Sequence, residues 1–132
     1  MRLLSQREHS RFELERKLAA HEEEPGTLAK ALDELQAKGF ISEERVVESV
    51  IHRRARKLGT ARVQQELAAK GLSSESMAQA LEQLRSTELE RARDVWSRKF
   101  GESTADPKER AKQMRFLLSR GFAAEVVRKV TR

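Results

Sequence analysis

Apolar residues recur along this chain at helical spacing. Val46, Val47, Val50, Ile51, Ala55 and Leu58 step by three and four residues and define one stripe, the pattern of a helix with a single face turned inward. No segment alternates apolar and polar residues strictly enough to predict a strand. Local signals mark the ends. All six glycines fall outside the periodic stretches, and five follow a Lys, an Arg or a neighbouring apolar residue, where a helix favours a left-handed residue and positive charge. Ser10-x-x-Glu13 and Thr87-x-x-Glu90 read as capping boxes, in which hydroxyl and carboxylate each satisfy one end of the first turn. Asp106-Pro107 followed by Glu109 supplies an N-cap, a proline at the first helical position and a favourable acid, and Ser42, Thr60 and Ser74 are expected caps for three further helices. The prediction is helices over 10–20, 27–38, 42–57, 60–70, 74–84, 87–100, 107–120 and 123–131, with a helical stub over 1–8.

The same pattern repeats about every fifty residues, the mark of one supersecondary unit used several times. Glu13-Leu14-x-x-Lys17 returns as Glu66-Leu67-x-x-Lys70 and as Phe116-Leu117-x-x-Arg120. Ala31-Leu32-x-x-Leu35 is echoed by Ala80-Leu81-x-x-Leu84 and Val126-Val127-x-x-Val130, and Arg56-Lys57-x-Gly59 by Arg98-Lys99-x-Gly101. The expected fold is all-α: tandem three-helix repeats forming an elongated array, with units at 1–41, 42–85 and 86–132. The first unit is expected to be short, its opening helix reduced to Leu3-Leu4-Ser5-Gln6-Arg7-Glu8. Leu14, Leu18, Leu32, Leu35, Leu67, Leu81, Leu84 and Leu117 should lie inside. Phe40, Leu72 and Phe122, each directly after a terminal glycine, should fold back as plugs. The long connection from Gly101 to Pro107 is expected to permit bending between the second and third units.

Composition agrees with a helical body: of 132 residues, 36% are charged and 5% aromatic, with little material suited to strands. The absence of cysteine excludes thiolate chemistry and disulfides. No apolar run approaches the roughly 18 residues that cross a bilayer, and the N-terminus has no signal-like apolar region, so a cytoplasmic protein with no membrane association is expected. His9, His21 and His52 lack metal-ligand spacing, and the glycines stop helices instead of cradling phosphate. Glu22-Glu23-Glu24 and Glu43-Glu44 fall at a helix end and a helix start, where solvated carboxylates belong. Neither an enzyme nor a cofactor is expected.

Net charge is +6, a balance that favours polyanions or acidic protein surfaces. Between His52 and Arg62 stand Arg53, Arg54, Arg56, Lys57 and Arg62 with no acid among them. On a helix over 42–57, residues 53, 56 and 57 would share a side opposite Val46 and Val50. The third unit is also basic, through Lys112 and Arg115 among others. Arg53, Arg56, Lys57, Arg62, Lys112 and Arg115 are thus the candidate residues for binding DNA or a nucleoprotein partner; the competing reading is a solvated face. Trp96 and Phe100, spaced i, i+4, are expected in the core rather than as a base-stacking platform.

The residues also resemble a known family. Arg7-Glu8-His9-Ser10-x-x-Glu13-Leu14-x-x-Lys17-Leu18 is similar to the opening of the RecX proteins, and Leu35-x-x-Lys38-Gly39-Phe40-Ile41-Ser42-Glu43-Glu44-Arg45 continues it. Arg62-Val63-x-x-Glu66-Leu67-x-x-Lys70-Gly71 and Arg115-Phe116-Leu117-x-x-Arg120-Gly121-Phe122 complete the match in order. A monomer is expected, and the resemblance implies a bacterial regulator, built of three-helix repeats, that modulates and usually inhibits the RecA recombinase by lodging in the groove of its nucleoprotein filament. Through RecA it would bear on recombinational DNA repair and the SOS response, and single- or double-stranded DNA is a possible further partner. Val46 stands where the family commonly has an aromatic residue, which implies looser packing of the second unit.

Overall fold

The structure, a computed structural model, describes residues 8–132. The expected stub over 1–8 therefore lies almost wholly outside the described residues. Eight α-helices follow: α1 Arg11–Leu18, extended by a 3-10 turn Ala19–His21, then α2 Thr27–Ala37, α3 Glu43–Arg54, α4 Thr60–Ala69, α5 Ser74–Ser86, α6 Glu88–Lys99, α7 Pro107–Ser119 and α8 Ala124–Val130. No strand forms among the described residues.

The helices bury their apolar stripes in three separate cores. Leu14, Leu32 and Ile41 fill the first unit. The second gathers the α3 stripe with Val63, Leu67, Leu72, Met77, Leu81 and Leu84. Ala92, Val95, Leu117, Phe122, Val127 and Val130 fill the third. Removing one such leucine from water contributes about 1.5–3 kcal/mol, so each unit stands mainly on its own stripe. Val46 is 1% exposed, so this smaller side chain is fully enclosed in the second core.

Several expectations change. Leu18 and Leu35 are only half-buried. Leu72 and Phe122 are plugs, but Phe40 is 54% exposed and Ile41 enters the core in its place. Ser10 and Glu13 make the reciprocal capping box, whereas Thr87 and Glu90 do not: Thr87 joins α5 directly to α6, with no side-chain cap. Its hydroxyl turns back to the carbonyls of Gln83 and Leu84. Ser73, not Ser74, caps α5, and Gly59, not Thr60, precedes α4. The segment between Gly101 and Pro107 joins α6 to α7 inside the third unit, so it does not separate the second unit from the third. Helix α3 ends at Arg54, three residues early, which leaves Arg56 and Lys57 in a turn.

Neighbouring units meet by a recurring device, in which the end of one unit's middle helix docks at the start of the previous unit's. Ser10 Oγ donates to the Lys70 carbonyl (2.5 Å) and Lys70 Nζ pairs with Glu13 (3.0 Å). At the next seam the Gly59 amide donates to the Arg120 carbonyl (2.8 Å), and Arg62 Nη1 to that of Ser119 (3.1 Å).

Candidate functional site

The seam between the second and third units carries a cationic cleft of about 370 Å³, lined by Lys57, Val95, Arg98, Lys99, Phe116 and Arg120. Each charge reaches it by a distinct local cause. Lys57 sits in the turn after α3, where the chain reverses into α4. Arg98 and Lys99 occupy the last turn of α6, where positive charge offsets the helix dipole. Arg120 is the C-cap of α7, directly before Gly121, whose φ of +90° ends that helix in the left-handed region.

Phe116 organises the floor. Lys99 Nζ lies 5.3 Å from its ring centroid and Arg120 Cζ 4.8 Å, while the Phe100 ring meets it edge-on at 5.5 Å. Each such cation–ring contact is worth about 0.5–1 kcal/mol at exposed sites and holds the cation in place without neutralising it. Among the described residues no carboxylate lines the cleft. The nearest counter-ion shown is Asp94, 2.9 Å from Arg98 Nη2 and itself 67% exposed. A wall of lysine and arginine over an apolar floor can hold anions, above all phosphates, through charge and forked hydrogen bonds.

The residues singled out from sequence do not form one stripe. Lys57 faces the cleft, and Arg56 supplies a backbone carbonyl to Arg98 Nη2 at 2.9 Å. Arg53 stays on α3, its Nε donating to the Ser49 carbonyl at 3.3 Å, and borders a different hollow with Glu13, Glu66 and Lys70. Arg62 borders a third, of about 540 Å³, with Arg85 and the exposed Leu118. Lys112 and Arg115 stand exposed on α7. Arg54, in the same basic run, is tied to Glu66 by two bonds of 3.0 and 3.1 Å.

Sequence reasoning assigns Arg98, Lys99 and Arg120 no place in the site. One signal was present: Arg98-Lys99-x-Gly101 echoes Arg56-Lys57-x-Gly59. The fold brings these two copies together, which the echo itself does not reveal. Trp96 packs against the third core and donates from Nε1 to Gln113 Oε1 at 2.8 Å, so it is not a stacking platform. Among the described residues no cluster of histidines and carboxylates converges to hold a metal.

Known proteins share this organisation. Family models described as the first, second and third three-helix domains of RecX match residues 1–35, 42–81 and 86–131. The chain is 54% identical over 132 residues to a regulatory protein RecX of Leptothrix cholodnii, covering all of this chain and 84% of that one. It is 46% identical over 127 residues to a protein of the same name in Ralstonia nicotianae, covering 96% and 80%. A crystal structure of regulatory protein RecX superposes with a TM-score of 0.78 at 20% identity, over 97% of this chain and 67% of that one. A crystal structure of RecX from Lactobacillus salivarius gives 0.79 at 17% identity, over 98% and 87%. These two establish the fold.

Proposed function

The chain belongs to the RecX family, and from this premise we propose that it regulates recombination in the cytoplasm by binding the RecA nucleoprotein filament and inhibiting RecA. The observation that carries the proposal is similarity along the whole length to proteins named as regulators; RecA as the partner follows from the family resemblance. In this reading the units at 1–41, 42–85 and 86–132 lie along the filament, and the cationic cleft meets DNA phosphate. The role is one of binding, not catalysis. Among the described residues no helix is long and apolar enough to cross a membrane.

Added to RecA on single-stranded DNA, the protein should lower both the DNA-dependent ATPase and strand exchange at substoichiometric amounts. Unchanged activities at equimolar protein, measured also with N-terminally extended protein, would overturn the proposal.

The cleft also favours a second reading, in which the protein coats DNA without touching RecA. At about 150 mM salt the Debye length falls to about 8 Å and simple charge attraction is largely screened. Preference for RecA-coated over bare single strands at that salt supports the regulator. Equal affinity supports the coating protein.

A further inference from the structure

A dense polar network lies on α6, the helix that also carries Arg98 and Lys99 of the cleft. Arg91 Nη1 donates to the carbonyls of Ala55 (3.0 Å) and Leu58 (2.6 Å). Its Nη2 donates to Thr60 Oγ1 (3.1 Å) and the Leu84 carbonyl (2.7 Å), and its Nε to Thr87 Oγ1 (3.1 Å). Glu88, 6% exposed, accepts from the amides of Thr60 (2.6 Å) and Ala123 (3.4 Å). Two turns beyond Arg91, Arg98 takes the Arg56 carbonyl. Three of the four carbonyls in the turn 55–58, the turn that carries Lys57, are therefore held by arginines of one helix.

Burial lowers the pKa of the Arg91 guanidinium, while Glu88 acts the other way. Burying such charges is costly unless every donor and acceptor is met, and a satisfied network fixes geometry more than it adds stability. The carbonyls after a helix end need partners in any case. Water would satisfy them equally well but would leave the turn free to shift.

We infer that Arg91 and Glu88 are the positioning residues of the cationic cleft: they fix Lys57 on one wall against Arg98, Lys99 and Arg120 on the other, and so set its grip on consecutive phosphates of a nucleic-acid strand. The inference rests on reading the cleft as a phosphate-binding surface. It adds that affinity depends on two residues that touch no ligand. Arg91→Lys retains the charge but offers three donors from a single atom and cannot span the five acceptors.

The test combines distances with binding. The chain has no cysteine, so Glu48→Cys on α3 and Arg128→Cys on α8, both exposed, accept spin labels cleanly. The parent should give a narrow distribution of distances across the seam. Arg91→Lys should broaden it and weaken binding of a fluorescent oligothymidylate on the order of tenfold, the worth of one charge-assisted hydrogen bond, at temperatures where circular dichroism shows it folded. Glu88→Gln should act in the same direction and replaces it if the lysine variant does not fold. A purely structural role would lower the melting temperature and leave distances and affinity in the folded state untouched; that result overturns the inference. So does a broadened distribution with parental affinity. The double variant Lys57→Ala/Lys99→Ala separates the two readings. If it binds like the parent, the phosphate reading fails and the inference falls with it. If it binds weakly while Arg91→Lys binds normally, only the positioning role is lost.

Discussion

Gly39 and Gly59 follow the same kind of sequence signal, a basic or apolar helix end, yet they are glycines for different reasons. Gly39 has φ +81° and nothing within 4 Å of where a side chain would start. Gly59 has φ −76°, open to any residue, but a methyl group there would overlap the Gly121 carbonyl and the Phe122 amide. Gly39→Ala should therefore cost about 1–2 kcal/mol of left-handed strain and leave the seam unchanged. Gly59→Ala should cost about 1–3 kcal/mol as overpacking and force the second and third units apart. Urea unfolding measures the two losses, and a label pair across the seam should shift for Gly59→Ala alone. A shift with Gly39→Ala as well would mean that the seam responds to stability in general. The distinction was hidden in the sequence because Gly59 is defined by Gly121, a residue of another unit. Phe40 and Phe122 teach the same lesson: both directly follow a helix-ending glycine, but only Phe122 enters its core, whereas in the first unit the next residue, Ile41, does so instead.

Whole helices were far more legible, since an amphipathic stripe and its caps are local. All eight fall where periodicity places them, with ends shifted by up to three residues. The largest shift, at α3, has a long-range cause: Arg91 and Arg98 hold the carbonyls of Ala55, Arg56 and Leu58, which would otherwise belong to a further helical turn or to water. Capping shows where local reading stops. Ser10-x-x-Glu13 and Thr87-x-x-Glu90 are similar in letters, but only one residue separates α5 from α6, so Thr87 has no extended backbone from which to cap. Ser10→Ala should cost about 1–2 kcal/mol, through the cap and the bond to Lys70. Glu90→Ala, on an exposed face, should stay within about 0.5 kcal/mol. Equal losses in thermal unfolding would show that the second box forms in solution after all.

At the scale of the molecule, the sequence showed three repeated units but not the surface between them, because a repeat predicts its own core and says little about which side chains cross to its neighbour. The cleft and its network are products of that crossing, which is why three of the cleft's four charges, Arg98, Lys99 and Arg120, were missed. The same crossing gives a stability signature. Were the units independent, damage to one core would loosen that unit alone. Two amides that belong by chain position to the second unit are bonded to the third instead: Gly59 to the Arg120 carbonyl and Thr60 to Glu88. Leu117 is fully buried in the third core and Leu67 in the second, and truncating either to alanine should cost about 2–5 kcal/mol. In Leu117→Ala, hydrogen exchange at Gly59 and Thr60 should accelerate together with α7 and α8, because opening the third unit releases their acceptors. The amide of Val63, bonded to the Gly59 carbonyl within the second unit, should accelerate less. In Leu67→Ala the order should reverse, with the Val63 amide and the rest of α4 exchanging fastest. If Gly59 and Thr60 kept their parental rates in Leu117→Ala, the two units would open independently, and the seam would be a contact without mechanical consequence.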